Sequence, residues 1–190
     1  MQTLQRITKE TQISVELEIN GTGKATIATG IGFFDHMLEA LTKHSLMDLT
    51  LTCKGDTHID FHHSVEDVGI VLGQALRTSL YPIEGVERYG NAVVVMDEAA
   101  VECALDLSNR AYLVYEVEME GKVGEFDVEL AEEFFRALIM NAGISAHIVA
   151  RRGKNRHHLL EAAFKAFAVA LRRSLVKNER LGIPSTKGVL

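Results

Sequence analysis

The chain has 190 residues, 47% of them hydrophobic and 24% charged, with 26 Asp and Glu against 20 Lys and Arg for a formal charge of -6. That length holds one domain or two fused half-size units, and the charge balance leaves no overall positive field to hold nucleic acid. No apolar run reaches the ~18 residues of a membrane span, and the polar start MQTLQRITKE has no signal-peptide pattern, so a cytoplasmic protein without a membrane partner is expected.

Ile13, Val15, Leu17 and Ile19 alternate with polar residues and run into Asn20-Gly21-Thr22-Gly23, the pattern of a half-buried strand feeding a hairpin. Phe34, Met37, Leu38 and Leu41 recur at helical spacing over 33–43, and Met47, Leu49, Leu51 and Cys53 alternate as a strand that ends at Lys54-Gly55-Asp56. A helix is expected from about 62 to 80, stopping before Tyr81-Pro82, because the residue before a proline disfavours the helical region. After turns around Gly85 and Gly90, strands are expected over 92–96, 101–107 and 112–119. Helical spacing returns over 127–141 through Leu130, Phe134 and Leu138. Ile144, Ala146, Ile148 and Ala150 then alternate, 157–176 reads as the last helix, and 182–188 as loop. Cys53 and Cys103 lie in apolar, strand-like stretches without zinc-finger spacing, so both read as reduced, buried thiols. His58 and His147 read as exposed strand residues.

The order strand, strand, helix, strand, helix occurs twice, and the letters repeat with it. Without a gap, 62–80 aligns with 157–175, matching His62 with His157, His63 with His158, Glu66 with Glu161 and Leu80 with Leu175. Extended backwards, Gly55 meets Gly153, His44 meets Asn141, and Asp35-His36 meets Glu132-Glu133. The expected fold class is therefore α+β: one domain, 1–190, of two pseudo-symmetric duplicated halves, about 1–90 and 91–190.

The doublets carry the chemistry. On a helix Glu66 stands four residues from His62 and three from His63, so it can accompany either ring. Adjacent histidines diverge by about 100°, which points each doublet at two different metal ions. Imidazole and carboxylate without thiolate select manganese, iron or zinc.

Several stretches then carry a resemblance: Gly30-Ile31-Gly32-Phe33-Phe34-Asp35-His36-Met37-Leu38, Asp60-Phe61-His62-His63-Ser64-Val65-Glu66-Asp67, Met96-Asp97-Glu98-Ala99, Asp106-Leu107-Ser108-Asn109-Arg110, the run from His157-His158 to Phe167, and Ser185-Thr186-Lys187-Gly188. Together they resemble the imidazoleglycerol-phosphate dehydratases over nearly the whole chain. The resemblance implies a step of histidine biosynthesis, the removal of water from D-erythro-imidazole-glycerol phosphate to give imidazole-acetol phosphate. It implies mixed or antiparallel sheets with helices on one face, and a homo-oligomeric shell of 24 subunits with two Mn²⁺ per active site between subunits.

As metal ligands the resemblance implies His36, His62, His63, Glu66, His157, His158 and Glu161, with an eighth position at Glu133, the repeat partner of His36, where the better-known relatives have histidine. Glu161 is implied as the base, and Glu10, in Arg6-Ile7-Thr8-Lys9-Glu10-Thr11, as a second acid/base or hydroxyl-holding group. Without a glycine-rich phosphate loop, the phosphate falls to Arg88, Arg110, Lys165 and Lys187, with Ser185 donating. Glu10, His36, His44 and Thr186 complete the implied substrate contacts. Asn109 and Ala111 stand where the family has Gly and Pro. An imidazole held through both nitrogens can lose its ring proton and expel a neighbouring hydroxyl through a diazafulvene-like intermediate. The competing readings are a metal-storage shell without turnover and a di-metal hydrolase or oxidase, and the spread of phosphate-anchoring cations argues against both.

Overall fold

The computed structural model describes residues 1–188. The first half runs β1 (Gln2–Ile7), β2 (Thr11–Glu18), β3 (Ala25–Ala28), α1 (Gly32–Ser45), β4 (Asp48–Gly55) and α2 (His62–Leu80). The second runs β5 (Tyr89–Met96), β6 (Ala99–Asp106), β7 (Tyr112–Glu116), β8 (Lys122–Val123), β9 (Phe126–Asp127), α3 (Leu130–Ala142), β10 (Ser145–Arg152) and α4 (Arg156–Ser174). Two four-stranded sheets result, ordered β1-β2-β4-β3 and β5-β6-β10-β7. In each sheet the last pair is parallel and the others antiparallel. Order and strand sense therefore repeat between the halves, and the fold is α+β.

Alternation decides which face is covered. Ile13, Val15 and Leu17 of β2 and Leu49, Leu51 and Cys53 of β4 are buried while their neighbours face outward. α2 packs on β1 and β2, and α4 packs on β5 and β6. The halves join through α2 against α3 and α1 against α4, which puts the helices between the sheets. Gly69 and Gly73 permit the first contact, because a Cβ on either would lie within 2.8 Å of the α3 backbone. Phe34, Phe134, Phe135, Phe164 and Phe167 fill the centre, with Phe134 edge-on to Phe34 and stacked on Phe164. Truncating one such ring to Ala costs about 3–5 kcal/mol, so α1, α3 and α4 hold one another in fixed register. Cys53 and Cys103 are free and buried, and burial pushes both thiols up.

Several expectations need correction. β2 feeds no hairpin at 20–23: its partners are β1 and β4, and the chain crosses to β3 on the far side of β4. The turn wraps Asp48 instead, whose Oδ1 accepts from the N–H groups of Thr22 and Lys24. β1 gives no clear sequence signal, since as an edge strand it is nowhere fully buried. Gly90 is not in a turn but in β5, where a Cβ would strike the Ala170 carbonyl of α4. β7 ends at Glu116, and α3 starts at Leu130 because Phe126 and Asp127 pair with β8. His147 is exposed on β10, whereas His58 lies in a turn rather than a strand.

Candidate active site

α4 starts where Asn155 caps it, its side chain accepting from the N–H groups of His157 and His158. One helical turn on, buried Glu161 places Oε2 3.1 Å from His157 Nε2. His36 arrives from α1, its Nε2 3.3 Å from the same oxygen. Asp35, beside it, accepts from the N–H and hydroxyl of Thr29 and fixes the entry to α1. Phe33 meets the His157 ring edge-on, and Phe126 backs Phe33. Ligand atoms of His36, His157 and Glu161 all lie within 4.8 Å of one another, although the three residues are up to 125 positions apart in sequence.

Burial works against the charged form of Glu161, yet Lys165 at 2.6 Å, with His157 and His36, holds its carboxyl below the usual range. Burial lowers His44, and Lys165 and Arg172 add to the shift. His44 and Lys165 thus share one electropositive neighbourhood beside Glu161.

The other doublet members turn away. Ring planes of His157 and His158 differ by 76°, and those of His62 and His63 by 88°. His158 Nδ1 is 2.7 Å from Glu98 Oε2, and His63 Nδ1 is 3.0 Å from Asp56 Oδ2. With the proton on Nδ1 each ring donates to a carboxylate and leaves the Nε2 lone pair free, the arrangement that orients a metal-binding imidazole. His62 Nε2 lies 3.8 Å from Glu66 Oε2, and His63 Nε2 lies 4.0 Å from Glu10 Oε1. These donor sets fit the ions implied by the sequence, and each leaves positions open to other donors.

Asp56 and Glu98 were missed as functional residues. Glu98 lies in the quoted Met96-Asp97-Glu98-Ala99 stretch, but only the fold shows what it contacts. His158 and the N–H groups of Asn155 and Lys154 hold its carboxyl down to about 2. In turn Glu98 raises His158 above its ordinary 6.5, as Asp56 raises His63. Protons therefore compete with a metal from a pH above 6.5, and loading is expected to weaken as pH falls through the raised values. Glu98→Ala is expected to lower metal affinity about 10- to 100-fold. Metal titrations of both proteins at several pH values check this.

Glu133 stands in the first turn of α3, half-buried, its carboxylate with no ion pair or hydrogen bond among the described residues, whereas Glu132 pairs with Arg136. Arg88 is committed: its guanidinium bonds both oxygens of Asp106 and donates to the Pro184 carbonyl. It shares a hollow of about 540 Å³ with Ser185 and Thr186. Asn109 takes the left-handed conformation, φ 53°, which asparagine tolerates better than most residues. Beyond it Ser108 and Ser145 bond the Arg110 carbonyl, and the Arg110 side chain is exposed. Lys187 is exposed in the tail.

Known proteins resemble the chain throughout. Residues 29–171 match the family described as imidazoleglycerol-phosphate dehydratase. The imidazoleglycerol-phosphate dehydratase of Aliarcobacter butzleri (strain RM4018) is 68% identical over 190 residues, all of both chains. That of Campylobacter concisus (strain 13826) is 71% identical over 188 residues, 98% of this chain and 96% of the relative. Among solved structures, the dehydratase of Staphylococcus aureus subsp. aureus N315 superposes with a TM-score of 0.82 at 40% identity, over 93% of this chain and 98% of that one. IGPD from Pyrococcus furiosus does so at 0.85 and 40%, over 98% and 100%. With both the doubled His-His-x-x-Glu helices and this full-length likeness in place, the chain belongs to the imidazoleglycerol-phosphate dehydratase family.

Proposed function

We propose that this dehydratase removes water from imidazole-glycerol phosphate to form imidazole-acetol phosphate, using two Mn²⁺ ions per active site. The convergence of His36, His157 and Glu161 on one point carries this reading, because three donors from two helices meet there around a buried carboxylate. The two ions would be held by His36, His62, His63, Glu66, His157, His158 and Glu161, with His36, His157 and Glu161 sharing one of them and Glu133 as the eighth ligand. When bound, they would hold the imidazole nitrogens and favour loss of the ring proton, making the ring the electron source that expels the neighbouring hydroxyl.

The chain's own groups supply the rest. Glu161 has Oε2 facing two histidines and Oε1 on Lys165, which suits a ligand and proton holder. Glu10 is exposed, and its carboxylate makes no hydrogen bond among the described residues. It is therefore the freer group to move the carbon-bound proton, a reversal of the order implied by the resemblance. Lys165, Lys187, Arg110 and Arg88 bind the phosphate, with Ser185, Thr186 and His44 orienting it. Arg88 must exchange part of its bonding to Asp106 and Pro184 to do so.

Both metal groups are open to solvent and ligand-poor within one chain, which supports sites completed between subunits of a 24-subunit shell. Exposed Tyr89, Val93, Val95 and Tyr112 supply apolar surface for such contacts. No helix among the described residues is long and apolar enough to cross a membrane, and a cytoplasmic location is proposed with the pathway.

Metal analysis coupled to a ketone-product assay tests the reading. Turnover and sedimentation are measured as isolated, after chelation, and after Mn²⁺ is restored. Chelation is expected to abolish turnover and shrink the particle, and Mn²⁺ to restore both, because ions that bridge subunits stabilise the assembly by mass action. A large particle persisting after verified metal loss would leave the ions catalytic only. Undiminished turnover would remove the metal mechanism.

A further inference from the structure

Glu10 and Glu98 occupy corresponding places: Glu10 directly precedes β2 and Glu98 directly precedes β6. The registers agree, since Arg6 pairs with Ile13 across one hairpin as Val94 pairs with Val101 across the other. Their surroundings differ. Both oxygens of Glu98 are occupied, one by the N–H groups of Lys154 and Asn155 and the other by His158. Glu10 accepts no hydrogen bond at its carboxylate among the described residues, where Oε1 lies 4.0 Å from His63 Nε2, and the turn carrying it is fastened from beneath.

The fastening is Asp67, on α2 and 7% exposed. Its Oδ1 accepts from Arg6 Nε at 2.9 Å and its Oδ2 from the Thr11 hydroxyl at 2.5 Å, so the donors flank the turn on both sides. Inside the turn the Thr8 hydroxyl accepts from the N–H groups of Glu10 and Thr11. The Glu10 carbonyl accepts from the N–H of Asp56, the residue whose carboxylate meets His63. The second half has none of this: Ala162, Ala99 and Val94 stand where Asp67, Thr11 and Arg6 stand in the first. A buried carboxylate without partners is costly, so Asp67 and its two donors form a unit present in one half alone.

We infer that Asp67 is a positioning residue: its clamp on Arg6 and Thr11 aims Glu10 at His63 while leaving the Glu10 carboxylate without a hydrogen bond. Duplication thus leaves one hairpin tip held through its own carboxylate and the other held through its neighbours, so that its carboxylate can work on substrate. This rests on the reading of Glu10 as a group that acts on the substrate.

The test uses Thr11→Val, which removes one donor at nearly constant volume, with Thr11→Ser, Asp67→Asn and Glu10→Gln in the Mn²⁺-loaded enzyme. The readouts are kcat, KM, bound metal per subunit, and amide hydrogen exchange across residues 8–11 with and without Mn²⁺. Thr11→Val is expected to lower kcat about 10- to 100-fold, the cost of a misplaced group, with KM and metal content near wild type and faster exchange at Glu10 and Thr11. Thr11→Ser restores both rate and protection. In a Glu10→Gln background Thr11→Val adds no further loss, because residues acting as one unit are not additive. Wild-type kcat in metal-loaded Thr11→Val beside an inactive Glu10→Gln overturns the clamp alone, as does a fully additive loss in the double variant. Wild-type turnover in Glu10→Gln overturns the role of Glu10 and the clamp with it.

Discussion

His157→Ala is expected to abolish metal retention at its site and lower turnover by about 10³-fold or more, while Lys187→Ala keeps both ions and raises KM. Among the described residues His157 supplies one of three donor atoms converging within 4.8 Å, and its ring is also the edge-on partner of Phe33. Its loss removes a ligand and loosens Glu161, whose carboxyl it helps to keep ionised. Charge stabilisation by a bound ion is worth several kcal/mol of barrier, and each 1.36 kcal/mol is a factor of about ten in rate. Lys187, exposed in the tail, touches none of these groups. A charge-assisted hydrogen bond to phosphate contributes about 1.5–3 kcal/mol, so KM rises about 10- to 100-fold while kcat holds, the signature of uniform binding. Metal content and kinetics of both variants check the contrast. Normal substrate binding by Lys187→Ala would remove the tail from the phosphate site.

The second large effect is expected at Glu133, the eighth position of the proposed ligand set. Two divalent ions with Glu66 and Glu161 carry a formal charge of about +2, which a third carboxylate lowers to about +1, so the ring is acidified less and the ions are held more tightly. Glu133→Ala is expected to weaken one of the two ions selectively, with kcat falling in step with occupancy. Glu133→His raises the site charge and shifts metal affinity more than it shifts KM. The structure supplies part of the reason to expect this. α3 packs on α2, which carries His62 and Glu66, as α1 with His36 packs on α4, which carries His157 and Glu161. Glu133, unlike Glu132, has no competing partner among the described residues. Two fully retained ions and wild-type turnover in Glu133→Ala would make Glu133 a solvated helix charge.

The helices were legible because their signals are local. α2 runs from His62 to Leu80 as its spacing and the following Tyr81-Pro82 require, and the doubled His-His-x-x-Glu marked both helix starts that carry the proposed ligands. Elements with weak local signals were not legible: edge strand β1, the two-residue strands β8 and β9, and Gly90, a glycine required by a helix backbone lying against it.

The sequence by itself determined the class of fold and its twofold repetition, through periodicity and spacing, and its motifs carried the family resemblance. Tertiary structure alone decided which donors meet. His36 reaches Glu161 across 125 positions because the phenylalanine centre fixes α1 against α4. Asp56 and Glu98 face histidines that no sequence spacing connects to them. The two hairpin glutamates, alike in sequence position, were likewise separated only by the fold. A carboxylate's role depends on whether its oxygens are already bonded: those of Glu98 are met by Lys154, Asn155 and His158, remote along the chain, whereas Asp67 bonds only Arg6 and Thr11 beside Glu10.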